Sequence, residues 1–360
     1  MIIKKYIRNC SILAMIVFLN AGCLSTSVSF LELQIKENPA SGIILDVPFV
    51  EQKKEFCGPA ALSSVFAFWK RPVTQDKIAE DIFKPELCGV LNIDLEKYAR
   101  DFGFWAKGYE TDFEDLKSQL LKGIPVIVME KLHPFILNRN HYTVITGFSD
   151  KHKAIIEHTG SRESVVRSYQ GFKRNWYAGG AWMLKVMPFD KVGDISSKEE
   201  NIELGTVLEK HGFFDESLKR YNAALKLDTE SNIALFNIGN IRMRLKDWKQ
   251  AELAYQQSIA LNKTFSDAYN NLAYLYLQTG KYSLAHEYID KALSFNSTRK
   301  FYYLDTKAQI FLAQRKVSEA LCFIKQAKLN QQNVPEQIIV DFNKFWIEKI
   351  PATRDFLIGE

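Results

Sequence analysis

Apolar residues along this chain change their spacing twice. Between residues 58 and 121 they recur at helical intervals, which predicts helices over Gly58 to Trp69, Thr74 to Ile82, Leu95 to Phe102 and Phe113 to Leu121. From Ile124 they fall instead into short β-like runs: Ile124 to Met129, His141 to Thr146, Ala154 to His158, Ser164 to Ser168 and Ala181 to Val186. Turn residues such as Gly147 to Asp150 and Thr159-Gly160 separate these runs. Helices segregated ahead of an antiparallel sheet predict an α+β domain over 44–188. Past Pro188, residues 189–199 read as a linker with Asp190, Gly193, Asp194 and Ser196, and Ser197-x-x-Glu200 is a capping-box start for the next helix.

A third spacing then takes over. Gly205, Gly239 and Ala273 stand 34 residues apart, as do Ser217, Ala251 and Ala285, and Ala224, Ser258 and Ala292. Small residues at these places let two antiparallel helices approach closely, and Tyr221, Tyr255 and Ile289 supply the large partner. A fourth, looser unit follows one residue late, with Ala308, Ala320 and Ala327. This period and pattern resemble tetratricopeptide repeats over 200–335, about four of them. The resemblance implies an all-α solenoid of stacked helical hairpins whose concave face binds an extended peptide or partner protein. The final segment, 336–360, reads as an amphipathic capping helix and tail that cover the last apolar face.

The N-terminus has the layout of an address. Lys4, Lys5 and Arg8 precede the apolar run Ile12 to Leu19, and Asn20-Ala21-Gly22-Cys23 follows, as in a secretory signal over 1–22. The run is too short to span a hydrocarbon core as a helix. Ala-Gly-Cys resembles the bacterial lipobox, although Asn20 stands where leucine is usual. The resemblance implies lipidation of Cys23, a tether over 23–43 and export to a bacterial membrane. Leu24 rather than aspartate after the cysteine points, by the same resemblance, to the periplasmic face of the outer membrane.

Composition removes several classes of function. Nearly half of the 360 residues are apolar, enough to bury cores, and the length suggests two domains. Without the signal segment the chain keeps 44 basic against 42 acidic residues, which gives no electrostatic reason for a nucleic-acid partner. No Gly-x-x-x-x-Gly-Lys-Ser/Thr or Gly-x-Gly-x-x-Gly occurs, so no nucleotide site is expected. The five cysteines at 10, 23, 57, 88 and 322 lack paired zinc spacing. No cofactor or metal is expected. Cys88 and Cys322 read as buried thiols, and His133, His152, His211 and His286 as loop or surface positions. Trp176, Tyr177 and Trp182 read as core fillers.

The chemistry concentrates in Gln52-Lys-Lys-Glu-Phe-Cys57-Gly-Pro-Ala-Ala. Cys57 stands where a loop enters a helix, and the positive end of the helix dipole favours thiolate over thiol. Gln52 can place a side-chain amide beside the backbone N–H of Cys57, two donors suited to an oxyanion. The base must come from elsewhere in the chain. His141 opens an alternating strand, so its ring is expected to face the helix start while Tyr142 and Val144 point away. To orient the imidazole, the next strand offers Glu157 on one face and His158 on the other.

These residues resemble the papain-like cysteine peptidases of the double-glycine, bacteriocin-processing family, through Gln52, Cys57-Gly58-Pro59-Ala60-Ala61, Gly123-Ile-Pro-Val-Ile-Val and His141-Tyr-Thr-Val-Ile-Thr-Gly147. The resemblance implies Cys57 as nucleophile, His141 as base and Gln52 as oxyanion donor. The family's aspartate position falls on His158, flanked by Glu157. The reading is therefore a membrane-anchored thiol hydrolase of peptide or amide bonds whose repeats recruit substrate or partner. Two alternatives stand beside it: a catalytically degenerate peptidase-like binding lipoprotein, and a thiol acyltransferase that resolves the thioester with an amine. A Cys57–Cys88 disulfide in an exported chain would abolish the nucleophile.

Overall fold

The computed structural model describes residues 27–132 and 139–358. The signal segment, Cys10, the lipidation candidate Cys23 and His133 lie outside the described residues. The chain divides into two compact units after Gly193.

The first unit is built on a seven-stranded antiparallel sheet. Its strands are β1 (Gly42–Ile44), β2 (Trp105–Glu110), β3 (Val126–Leu132), β4 (Arg139–Ser149), β5 (Ala154–Thr159), β6 (Arg162–Ser168) and β7 (Trp182–Met187). They lie in the order β2-β7-β3-β4-β5-β6, with β1 paired to the far end of β4. Alternation sends Ile127, Tyr142, Val144, Leu184 and Val186 to one face, under helices Cys57–Phe68, Gln75–Ile82 and Asn92–Asp101. Val126, Val128, Ile145, Ile155 and Met183 go to the other, under helices Phe113–Leu121 and Tyr169–Ala178. Local chemistry starts these helices. The Thr74 hydroxyl accepts from Lys77 N–H, and the Asp112 carboxylate accepts from both Glu114 and Asp115 N–H.

Helix Cys57–Phe68 is buried along its whole first two turns, from Gly58 to Phe66, because apolar residues surround its axis. Leu62, Val65 and Phe66 have no exposed surface, and each such side chain contributes roughly 1.5–3 kcal/mol of burial. That anchoring fixes the place of Cys57.

Five expectations change. Helices and strands do not segregate along the chain: β2 lies between helices, and helix Tyr169–Ala178 crosses from β6 to β7. Residues Gly147 to Ser149 continue β4 rather than turning, because β1 pairs with them. The expected tether is partly folded: Val28–Glu37 is a helix whose Leu31 is fully buried against Ala154 and Ile156. Cys88 and Cys322 are exposed, Cys88 in a left-handed turn, and neither they nor Cys57 form a disulfide. Trp176 and Trp182 are buried, whereas Tyr177 is 48% exposed.

The second unit is all-α. Helix pairs Lys198–Lys210 with Phe214–Leu227, Asn232–Arg244 with Trp248–Leu261, Ser266–Gln278 with Tyr282–Ser294, and Lys300–Ala313 with Val317–Leu329 follow one another. Ser197 caps the first by accepting from Glu200 N–H at 3.2 Å. The small-residue period has a steric cause. A Cβ at Gly205 would lie 2.5 Å from the Tyr221 ring, and one at Gly239 2.6 Å from the Tyr255 ring. Where the third and fourth units carry Ala273 and Ala308, the partners shrink to Ile289 and Ile324. Helix Glu336–Lys349 buries Phe342 and Trp346 against Phe301 and Leu304, as the capping segment requires. Among the described residues no helix is long and apolar enough to cross a membrane.

Candidate active site

Cys57 is the first residue of its helix and half-buried. The residue before it, Phe56, makes no side-chain cap, and the first-turn N–H groups of the helix favour an anion. Gly58 is required by close packing: a Cβ there would stand 2.4 Å from Val90 Cγ2 and 3.2 Å from Tyr142 Cδ2. Tyr142 is in turn fixed by donating its hydroxyl proton to Asn92 Oδ1 at 2.6 Å. Burial, with the Cys57 thiol nearby, holds this phenol well above its ordinary range.

The loop before Cys57 is pinned from two sides. Gln75, itself buried, donates through Nε2 to Glu51 O at 2.7 Å and accepts from Lys53 N–H at 2.9 Å. Gln52 N–H donates to Gly160 O at 3.1 Å, tying the loop to the turn after β5. A single pocket then gathers Gln52, Cys57, Tyr142, His158, Thr159 and Gly160.

His141 enters through its hydrogen bond. Its Nε2 lies 2.9 Å from Thr159 Oγ1, and Thr159 lines the Cys57 pocket. The expected facing is reversed, since Tyr142 and Val144 are the residues that pack under the Cys57 helix. His141 sits on the alternate face, directly across from Glu130 on β3 and in line with Thr143.

Both strand candidates for the orienting role have partners elsewhere. His158 has both ring nitrogens engaged: Nε2 donates to Val47 O at 2.8 Å and Nδ1 accepts from Ser164 N–H at 3.0 Å. Glu157 is held by Arg167 Nη2 at 2.7 Å, and burial, with Glu130 nearby, raises its pKa to about 8. Burial raises the pKa of Glu130 as well, so the Arg167-bridged pair of acids favours holding a proton between them. The residue at His141 is Thr159, which the sequence reading passed over. Register slips explain why counting failed: β4 slips between Ile145 and Gly147, β5 between Glu157 and Thr159, and His158 falls in the second slip.

Beside His141, Arg167 Nη2 donates to both oxygens of Glu130, at 2.6 and 2.7 Å. Glu130 is only 1% exposed. Thr143 Oγ1, in line with His141 on the same strand, donates to Thr159 Oγ1 at 3.5 Å. No group of three or more His, Cys, Asp or Glu placed to hold a metal ion occurs among the described residues.

A thiol at a helix mouth, sharing a pocket with Gln52 and with the His141-bonded Thr159, on an antiparallel sheet with packed helices, resembles the layout of a papain-like peptidase. Residues 44–182 match the Peptidase C39 like family, and residues 202–264 and 254–287 match two tetratricopeptide repeat families. The chain thus joins a peptidase C39-like domain to tetratricopeptide repeats. Among solved structures it is similar to a double glycine motif protease from an AMS/PCAT transporter in complex with the leader peptide. That similarity has 25% identity over 40% of this chain and 94% of that one, with a TM-score of 0.33. The peptidase domain of Streptococcus ComA, a bi-functional ABC transporter, is 20% identical over 39% of this chain and 96% of its own, with a TM-score of 0.33. MamA is 22% identical over 38% of this chain and 74% of its own, with a TM-score of 0.34. No curated protein matches the chain.

Proposed function

We propose that the first unit is a cysteine peptidase that cleaves peptide or amide bonds, exported and anchored through a lipid on Cys23, with the repeats recruiting a protein substrate or partner. Cys57 attacks the carbonyl, and its backbone N–H and the Gln52 amide receive the oxyanion. His141 takes the thiol proton and returns it to the leaving amine. Thr159 orients the imidazole by its hydrogen bond to Nε2. The observation that carries this reading is the pocket in which Gln52, Cys57 and the histidine-bound Thr159 meet.

One feature favours the second reading, a peptidase-like binding protein. The group touching His141 is a neutral hydroxyl, which stabilises an imidazolium less than a carboxylate does. The two separate in one experiment. Envelope proteins from cells making the wild-type chain are compared for new N-termini with those from cells making Cys57→Ala. New termini that vanish in the variant support hydrolysis, whereas identical termini with retained partner binding leave the scaffold reading.

A further inference from the structure

Helix Gln75–Ile82 opens with a glutamine that is only 7% exposed, yet Gln75 does not line the Cys57 pocket. Its amide is committed to the loop that carries Gln52. Gln75 Nε2 donates to Glu51 O at 2.7 Å, and Gln75 Oε1 accepts from Lys53 N–H at 2.9 Å. A side-chain amide carries a donor and an acceptor in one plane, and the backbone C=O and N–H that it meets settle which end is which. These two groups are the carbonyl before Gln52 and the N–H after it. Gln52 N–H has a different partner, donating to Gly160 O at 3.1 Å. The backbone around Gln52 is thus held by two separate segments, as a strand is held between two neighbours, while its side chain stays in the pocket with Cys57.

Gln75 is anchored in turn to the element that carries the nucleophile. Ser63 Oγ, on the Cys57 helix, donates to Val73 O at 2.5 Å, two residues before Gln75. At the far end of helix Gln75–Ile82, the Phe83 ring lies 5.3 Å from that of Phe56, the residue before Cys57. Ile78 is fully buried in the core that holds Leu62 and Val65. Gln52 and Cys57 are therefore referenced to one packed helix pair as well as to residues 53–56 between them. Those residues include Glu55 at a φ of 68°, a left-handed value that a non-glycine residue keeps only where its surroundings hold it. The ion pair of Lys53 with Asp76 at 2.7 Å is exposed on both sides and adds little.

We propose that Gln75 is a positioning residue for the oxyanion site: by holding the backbone on either side of Gln52, it fixes the Gln52 amide relative to the Cys57 N–H. This rests on Gln52 serving as the oxyanion donor. Two donors stabilise a developing charge best when both are in place before it forms, and a misplacement of ~1 Å can cost ~10²-fold. Gln75 acts through Gln52, so it affects only those reactions of Cys57 that pass through an oxyanion.

The test compares two reactions of the same sulfur in the mature chain carrying Cys23→Ser. With p-nitrophenyl acetate, the Cys57 sulfur bonds to the carbonyl carbon, the carbonyl oxygen becomes an oxyanion, and p-nitrophenolate leaves with the electron pair of the broken C–O bond. With iodoacetamide, the sulfur displaces iodide from a saturated carbon and no oxyanion forms. The acylation rate is the p-nitrophenolate release that Cys57→Ala abolishes, and alkylation is read on the Cys57 peptide by mass spectrometry. Their ratio cancels any change in the thiolate population. Gln75→Met, similar in size but unable to pair with either backbone group, is expected to lower the ratio about tenfold, less than the ~10²–10³ of losing a donor outright. Gln75→Glu keeps the acceptor, loses the donor and is expected to lower it by less. Added to Gln52→Ala, Gln75→Met should leave the ratio within about twofold of Gln52→Ala alone, because the second change has nothing left to displace. An unchanged ratio in both Gln75 variants overturns the proposal, as does an undiminished further loss in the Gln52→Ala background. Should Gln75→Met abolish alkylation too, Gln75→Glu decides. Failure of the underlying reading looks different: Gln52→Ala itself leaves the ratio at its wild-type value.

Discussion

Gly58→Ala tests whether the position of Cys57 is set by packing. The added Cβ would meet Val90 Cγ2 at 2.4 Å, over 1 Å inside the usual ~3.5–4.0 Å carbon contact, with Tyr142 Cδ2 and Leu95 Cδ2 at 3.2 and 3.4 Å behind it. Overpacking of this kind costs about 1–3 kcal/mol, and alanine's better helix propensity returns under ~1 kcal/mol. The net loss is therefore about 1–2 kcal/mol. Because the preceding residue is Cys57, a helix start pushed off Val90 also gives up part of the N-terminal stabilisation of the thiolate, worth ~0.3–1 kcal/mol and up to ~2. Alkylation of Cys57 at pH 6 should slow by about threefold to tenfold. The assay is a double-mutant cycle with Val90→Ala, read by denaturant unfolding and by iodoacetamide labelling. Removing Cγ2 should restore at least ~1 kcal/mol of the Gly58→Ala loss. A cycle that is additive within ~0.3 kcal/mol, or a Gly58→Ala chain that matches wild type in both readouts, refutes the packing argument.

Further outcomes follow from the buried acid and the repeat contacts. Glu157 keeps its proton in the folded chain up to about pH 8, whereas a free glutamate releases it near 4.5. Its contribution is fully present below the unfolded pKa and is lost as pH rises through the folded one, at up to ~1.4 kcal/mol per unit. Glu157→Gln should flatten the fall of melting temperature from pH 5 to 8 and exceed wild type above pH 8; equal slopes would refute the assignment. In the repeats, Gly239→Ala should cost about 1–3 kcal/mol because the Tyr255 ring occupies the space. Adding Tyr255→Ile recreates the Ala273–Ile289 pairing and should recover part of that loss in denaturant unfolding. No recovery would mean that the small-residue period has another origin.

Much of this was legible because strong local signals agreed with tertiary packing. Phe113–Leu121 has the predicted bounds, and the 34-residue period locates four helix pairs through one repeated Gly–Tyr or Ala–Ile contact. Cys57 at the helix start could be read from Cys-Gly-Pro alone. Other features depend on partners that a linear string hides. Strand β2 contains Lys107 and Gly108 and gains its order from pairing with β7. Helix Tyr169–Ala178 is short and polar apart from Phe172 and Trp176, four residues apart. The orienting group was out of reach for a sharper reason. A one-residue register change moves every side chain to the other face, and both strands that carry the site slip near it. Thr159, rather than His158 or Glu157, therefore meets His141.

The most direct measurement is the rate of iodoacetamide labelling of Cys57 against pH, in wild type and in His141→Ala, with the exposed Cys88 and Cys322 as internal references. The account predicts that wild-type Cys57 labels rapidly at pH 5–6, where the two references are nearly inert. In His141→Ala it should label along the curve of an ordinary thiol, with midpoint near ~8.5. Superimposable Cys57 profiles in the two proteins would contradict it.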